Sequence, residues 1–317
     1  VIALVAGVLA APLGAQQVRL LSLLTGGTAG VYFPLGGAMA EIWNSRVTGV
    51  RVAAQSSGAS VANVRTLARG DAQLAMIQND IAFYAHNGRE MFSEAGSAQP
   101  QPVQGIRGMA MLYPETIQII TLRNKRLTSI DDMRGKRIVV GDAGSGTEAN
   151  ARQILSVHDL FYRMLRADFL SFAAGIDQLR DGNVDAVFIT AGFPTAAVTD
   201  IASSREIAIV PVSNDALTAL RAKWPFYTRT VIPGNTYRGV ADPVATVSVM
   251  AMLVVRADVP DALVYNLTKA LWENLDRVRA AHARGRDFEL TKALDGMPVP
   301  VHPGAEQYYR ERGVRTR

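Results

Sequence analysis

The residues best suited to chemistry in this chain are small and polar. Five stretches, residues 25–30, 55–58, 78–80, 141–147 and 190–193, are rich in Gly, Ser, Thr or amide side chains, and several run directly into segments with helical periodicity. Such a junction presents unpaired backbone N–H groups and the positive end of a helix dipole, which together attract anions. Gly144-Ser145-Gly146-Thr147 is the clearest case. Its glycines let the backbone approach a ligand closely, and Ser145 and Thr147 add hydroxyls. A plain N-cap by Ser145 or Thr147 is the alternative use of the same residues.

Other chemistries are excluded or left without residues. Cysteine is absent, which removes disulfides, thiolate nucleophiles, thiolate zinc sites and iron–sulfur clusters. The four histidines, at 86, 158, 282 and 302, include no pair at helical metal-ligand spacing. Gly146-Thr147-Glu148 stands where a phosphate-binding Walker loop needs Gly-Lys-Ser/Thr, and Thr28 breaks the G-x-G-x-x-G register at Gly26 and Gly30. The stretch around Ser145 lacks a nucleophile elbow, and no histidine follows a strand end as its base. No metal and no cofactor are therefore expected, and the chain reads as a binding protein rather than an enzyme. Asp80 is a candidate ligand contact or the N-cap of the helix at Ile81. Tyr32 and Tyr113 could each flank a ligand with a hydroxyl and an apolar face.

Those loops need a frame, and the chain supplies one by alternation. Strands are predicted over residues 18–24, 50–54, 74–77, 137–140, 186–189 and 207–210, with helices over 31–45, 59–68, 148–157 and 175–180 between them. This order predicts an α/β fold with mostly parallel sheets, whose ligands gather beyond the carboxyl ends of the strands. Residues 106–112 and 117–122 read as two strands joined by Tyr113-Pro114-Glu115, a chain crossing between lobes. Residues 247–255 read as a further strand, 260–275 as a helix, 306–312 as a short helix and 96–102 as a surface loop. An internal echo, helix then glycine then strand, repeats with the same spacing at Leu67, Gly70, Ile77 and at Leu179, Gly182, Ile189.

With 317 residues the chain has room for two domains. Hydrophobic residues at 49% and charged residues at 19% rule out intrinsic disorder. The net charge of +5 is spread along the chain without a basic stripe interleaved with aromatics, so no nucleic acid is expected as a partner. Residues 1–15 are apolar and uncharged and end in Leu13-Gly14-Ala15, as a truncated signal peptide does, so export to the periplasm is expected.

The motifs taken in order resemble the TAXI family of solute-binding proteins, the extracytoplasmic components of TRAP (tripartite ATP-independent periplasmic) transporters. The residues that carry the resemblance are Thr25-Gly26-Gly27-Thr28 with Val31-Tyr32-Phe33-Pro34-Leu35-Gly36, then Ser57-Gly58-Ala59-Ser60 and Gln78-Asn79-Asp80. Leu112-Tyr113-Pro114-Glu115, Met133-Arg134-Gly135-Lys136, Gly144-Ser145-Gly146-Thr147 and the tail from Pro298 to Tyr309 follow. Asn79, where a serine is expected, and Arg238, where a proline is expected, depart from the pattern.

The resemblance implies a two-lobed, type II periplasmic-binding-protein-like fold, each lobe a mostly parallel sheet flanked by helices, with a cleft that closes on its ligand. Lobe 1 is expected to hold residues 17–113 plus 241–317, and lobe 2 residues 114–240. The implied ligand is a small anionic solute, glutamate or dicarboxylate-like, delivered to TRAP permease membrane subunits by a monomer. The expected ligand contacts are Thr25, Gly26, Gly27, Tyr32, Ser56, Ser57, Gln78, Asp80, Tyr113, Gly144, Ser145, Gly146, Thr147, Ala191 and Gly192. A sensor module feeding a membrane receptor, or a secreted enzyme on the same frame, are the alternatives.

Overall fold

The computed structural model describes residues 18–93 and 101–315. The expected signal segment and all but the last two residues of the expected loop at 96–102 lie outside them. The chain begins with β1 (Arg19–Leu24), α1 (Tyr32–Arg46), β2 (Val50–Gln55), α2 (Ser60–Arg69), β3 (Leu74–Gln78) and α3 (Asn79–Asn87). It continues through β4 (Ile106–Leu122), β5 (Arg137–Val139), α4 (Gly146–Ser156), β6 (Arg166–Asp168), α5 (Phe172–Arg180), β7 (Ala186–Ala191), α6 (Ala196–Ser204) and β8 (Ile207–Val210). It ends with α7 (Asn214–Lys223), β9 (Thr228–Ile232), β10 (Val244–Arg256), α8 (Asp261–Trp272), α9 (Leu275–Ala281) and α10 (Pro303–Glu311).

The strands join in the order β2-β1-β3-β10-β4-β7-β5-β6, with β8 added to β4 and β9 to β10. β1 pairs in parallel with β2 and β3, and β5 in parallel with β6 and β7. β3 is buried at every residue, as a strand covered on both faces must be, and its continuous apolar run shows this in the sequence.

Two long antiparallel strands connect these parallel groups. β4 and β10 pair from Ile106–Arg256 to Thr116–Ser248, with Pro114 opposite Met250. The first half of β10 also pairs with β9, and its second half with β3. Beyond Thr116, β4 pairs with β7 and β8 instead. The two strands expected on either side of Tyr113-Pro114-Glu115 are thus one strand of 17 residues. Pro114 lacks an N–H to donate, and it is accommodated just where β4 changes partners. At the same level Met250 donates its N–H to Asn79 Oδ1 at 2.9 Å rather than to a strand neighbour.

The internal echo is visible in three dimensions. α2 closes at Gly70 and α5 at Gly182, both with positive φ (89° and 78°), before turning into buried strands β3 and β7. That backbone conformation is open to glycine at little cost. Helix starts shift where a cap was not credited. α5 begins at Phe172 because Ser171 accepts from Ala174 N, and α10 begins at Pro303 because His302 accepts from Gly304 N. β6, α6, α7, β9 and α9 were not expected from the sequence. Trp43 and Trp272 pack in the core, their indole N–H groups donating to Leu267 O and Tyr309 Oη.

Candidate functional site

A cavity lies where the loops after β1, β2, β3, β7 and the segment between β5 and α4 meet. It offers about 70 Å³ to the centres of water-sized molecules, several times the ~10–15 Å³ that one water needs. It therefore suits one small solute.

The wall is built from the starts of five helices. Val31, Ala59, Gln78, Ser145 and Ser171, the N-cap residues of α1 to α5 in turn, all line the cavity. Ser145 and Ser171 satisfy their own helices by accepting from Glu148 N (3.1 Å) and Ala174 N (3.4 Å). Val31, Ala59 and Gln78 make no side-chain cap, so the starts of α1, α2 and α3 lack the capping that Ser145 and Ser171 give α4 and α5. Each helix start also carries roughly half a positive charge.

The turn into α2 is strained. Ala59 has φ 63° and ψ −151°, a region that side-chain-bearing residues rarely occupy. Ser57 braces it, its Oγ donating to Thr25 O (2.9 Å) and accepting from Ala59 N (3.2 Å). The conformation orients the start of α2 toward the cavity. Nothing in the local sequence announces it, because the residue is not glycine.

Glycine is needed on the opposite wall for close approach. A Cβ on Gly146 would fall 2.1 Å from Gln78 Oε1, so the Gln78 amide lies directly against the start of α4. The two halves also join there through Ala62 N and Gly144 O at 3.0 Å.

Two polar atoms in the wall have no partner, Gln78 Oε1 and Thr190 Oγ1, although both residues are almost fully buried. A buried polar atom without a hydrogen bond is costly, so such atoms in a cavity wall mark a place for ligand atoms.

The charged side chains among the lining residues are Glu115 and Asp142; no Lys, Arg or His is present there. Glu115 is buried, and its Oε2 accepts from Tyr32 Oη at 2.6 Å. Loss of solvent pushes its pKa up to about 8, against the Tyr32 hydrogen bond and with the nearby Asp80 charge. Tyr32 is raised far above the usual phenol range by burial and by Glu115.

Of the expected ligand contacts, Gly26, Gly27, Tyr32, Ser57, Gln78, Ser145, Gly146, Thr147 and Ala191 line the cavity. The other six lie elsewhere. Thr25 is buried behind it, its hydroxyl tied to Gln55 O at 2.8 Å. Ser56 is exposed to solvent in the loop that follows β2, while its neighbour Ser57 lines the cavity. Gly144 occupies a turn at φ 79° outside the wall. Asp80 accepts from Ile81 N (2.9 Å) and Asn150 Nδ2 (3.0 Å) within a separate buried cluster. Tyr113 and Gly192 pack together near Arg284, outside the lining. Glu115, Ser60, Ser171, Phe172 and Thr190 line the cavity without having been singled out as ligand contacts. Thr190 stands in the flagged stretch 190–193, Ser60 and Glu115 close motifs quoted above, and Ser171 precedes a periodic run as a helix cap does.

Among the described residues no cluster of His, Cys, Asp and Glu could hold a metal ion, and no helix is long and apolar enough to cross a membrane.

Two parallel α/β groups, exchanged through two long strands over a cavity ringed by helix starts, define the type II periplasmic-binding-protein fold. The alkanesulfonate-binding protein SsuA from Xanthomonas axonopodis pv. citri, solved with MOPS, is similar at 13% identity and TM-score 0.52, over 95% of this chain and 86% of that one. PhnD1 from Prochlorococcus marinus, solved with methylphosphonate, is similar at 11% identity and TM-score 0.57, over 94% and 97%. A putative L-cystine ABC transporter protein from Listeria monocytogenes is similar at 13% identity and TM-score 0.52, over 86% and 98%. The chain itself belongs to the NMT1-like family, whose pattern it matches over residues 23–313.

Proposed function

We propose that this chain is an extracytoplasmic solute-binding protein. It captures a small anionic solute, glutamate- or dicarboxylate-like, and passes it to the membrane subunits of a TRAP-type permease. The observation that carries the reading is the convergence of five helix starts on one small cavity, three of them without a side-chain cap. Unpaired N–H groups at helix starts bind carboxylates without a basic side chain. The unpartnered Gln78 Oε1 and Thr190 Oγ1 supply further polar contacts.

Opening and closing follow from the strand exchange. We place the hinge at Pro114 and Met250, where β4 and β10 pass between the two groups of strands. Residues 244–248 then move with β9 and the second lobe, and the expected division at 241 shifts to about 250. A ligand bridging the starts of α1 and α2 on one side and α4 and α5 on the other shifts the population toward the closed form. The TRAP-type destination rests on the order of the sequence motifs, and the SsuA and PhnD1 likenesses concern the fold.

A thermal-shift screen of the purified protein tests the capture step. A carboxylate solute at one hundred times its Kd should stabilise the protein by about 2.7 kcal/mol. Selective stabilisation by glutamate or a C4–C5 dicarboxylate is the expected result. Stabilisation by sugars or metal ions alone would overturn the anionic reading, and consumption of the stabilising solute would restore the enzyme alternative.

A further inference from the structure

Glu115 sits uneasily in a cavity built for an anion. It lies one residue beyond Pro114, at the strand exchange, with its carboxyl in the cavity wall and almost no solvent exposure. The groups facing it offer no positive side chain. From α1 comes Tyr32, which donates to it; from β4 itself comes Tyr113; from α3 comes the buried acid Asp80. Asp142 is the other acid in the cavity lining. Arg284 and Asp287 face Tyr113 rather than the cavity, and they are partners in an ion pair at 3.1 Å.

An ionised Glu115 would therefore compete with an incoming anion for the same helix starts and repel it across a water-poor space. A neutral Glu115 removes the repulsion, and its O–H becomes a donor that a ligand carboxylate can accept.

We propose that Glu115 is a specificity-determining residue that takes part in capture as the neutral acid, so that each anionic solute is bound together with one proton. The inference rests on the anionic reading of the cavity given above. Burial already holds the carboxyl protonated up to about pH 8 in the empty protein, and a bound anion extends that range. Below that pH the proton is in place beforehand. Above it, the proton must be taken from solvent as the solute binds.

Calorimetric titration of the full chain with 2-oxoglutarate, in buffers of different ionisation enthalpy, counts the protons directly. This probe has no group of its own that titrates between pH 6 and 9. Uptake is expected to be close to zero at pH 6 and to approach about one proton at pH 9, while Kd rises about tenfold per pH unit above the Glu115 pKa. E115Q should abolish the uptake and flatten the pH profile of Kd. Proton release on binding, as an ionised Glu115 meeting a ligand ammonium would give, overturns the proposal, as does binding at pH 9 with no uptake.

If 2-oxoglutarate and the other carboxylates fail to bind at any pH, the anionic reading fails instead. Glu115 is then judged separately, by carbon-13 NMR titration of the empty protein with the signal assigned through E115Q. A carboxyl that ionises near 4.5 overturns the neutral-acid assignment as well; one still protonated at pH 7 upholds that assignment alone, and the coupling to anion capture falls with the anionic reading.

Discussion

Two groups of buried polar side chains lie side by side in this protein, and they differ in how completely they are paired. In the cluster between α3 and α4, Asn150 Nδ2 donates to Asp80 Oδ2 and to Tyr227 Oη, each at 3.0 Å. Tyr227 Oη donates to Gln153 Oε1 at 2.6 Å, and Gln153 Nε2 donates to Tyr84 Oη at 3.1 Å. Asn150 Oδ1 is the one side-chain atom of these five residues left without a partner. The cavity wall has the opposite character, with Gln78 Oε1 and Thr190 Oγ1 unpaired and the starts of α1, α2 and α3 without a side-chain cap. A nearly saturated network spends its polar groups on holding the fold together. An unsaturated one leaves them for something that arrives later.

The difference can be broken from either side. The largest effect is expected from Asp80. Burial raises its pKa from the ordinary 3.8 to about 7, so the folded protein holds this proton more tightly than the unfolded chain. Its contribution is fully present below about pH 4 and is lost as the pH rises through 7. That loss is on the order of 4 kcal/mol. D80N carries no such proton. The stability of D80N relative to the parent, measured by denaturant unfolding, should therefore rise between pH 4 and pH 8. A flat difference would show that Asp80 titrates normally.

Next in size is Asn150→Leu, which keeps the volume but leaves the Asp80 carboxyl and the Tyr227 hydroxyl short of a partner. It should cost about 3 kcal/mol in the same measurement. A cost below about 1 kcal/mol would mean that the cluster is not a structural network.

The smallest effect sharpens the contrast. Thr190→Val removes a hydroxyl that has no partner in the empty protein. Unfolding free energy should stay level or rise, because a buried hydroxyl without a partner is removed, while affinity for the captured carboxylate falls about fivefold, the worth of one hydrogen bond. Thr190→Val that destabilises the empty protein as much as Asn150→Leu would erase the distinction.

Much of the cavity was legible before the fold. The five loops that carry its wall stand out as Gly-, Ser- and Thr-rich breaks after apolar runs, and nine of the expected contacts line it. The misses share a cause. Ser56 and Ser57 are adjacent and chemically alike, but Ser57 turns in to donate to Thr25 O, thirty-two positions away, and lines the wall, while Ser56 stays in solvent. Asp80 has the composition of a ligand contact, yet it faces Asn150, seventy positions away in the sequence. Glu115 reads as an acid of the usual solvated kind until β4 and β10 bury it.

The sequence by itself determined the order of elements, the glycine stops at Gly70 and Gly182, and the loops from which a site could be made. These depend on neighbours within a few residues, through periodicity, capping and backbone freedom. Tertiary structure alone decided that β4 is one strand across Pro114, that five helix starts meet at one point, and which polar groups are paired and which wait. Those outcomes depend on pairs far apart in the chain, such as Tyr32 with Glu115 and Gln78 with Gly146, and no local pattern encodes them.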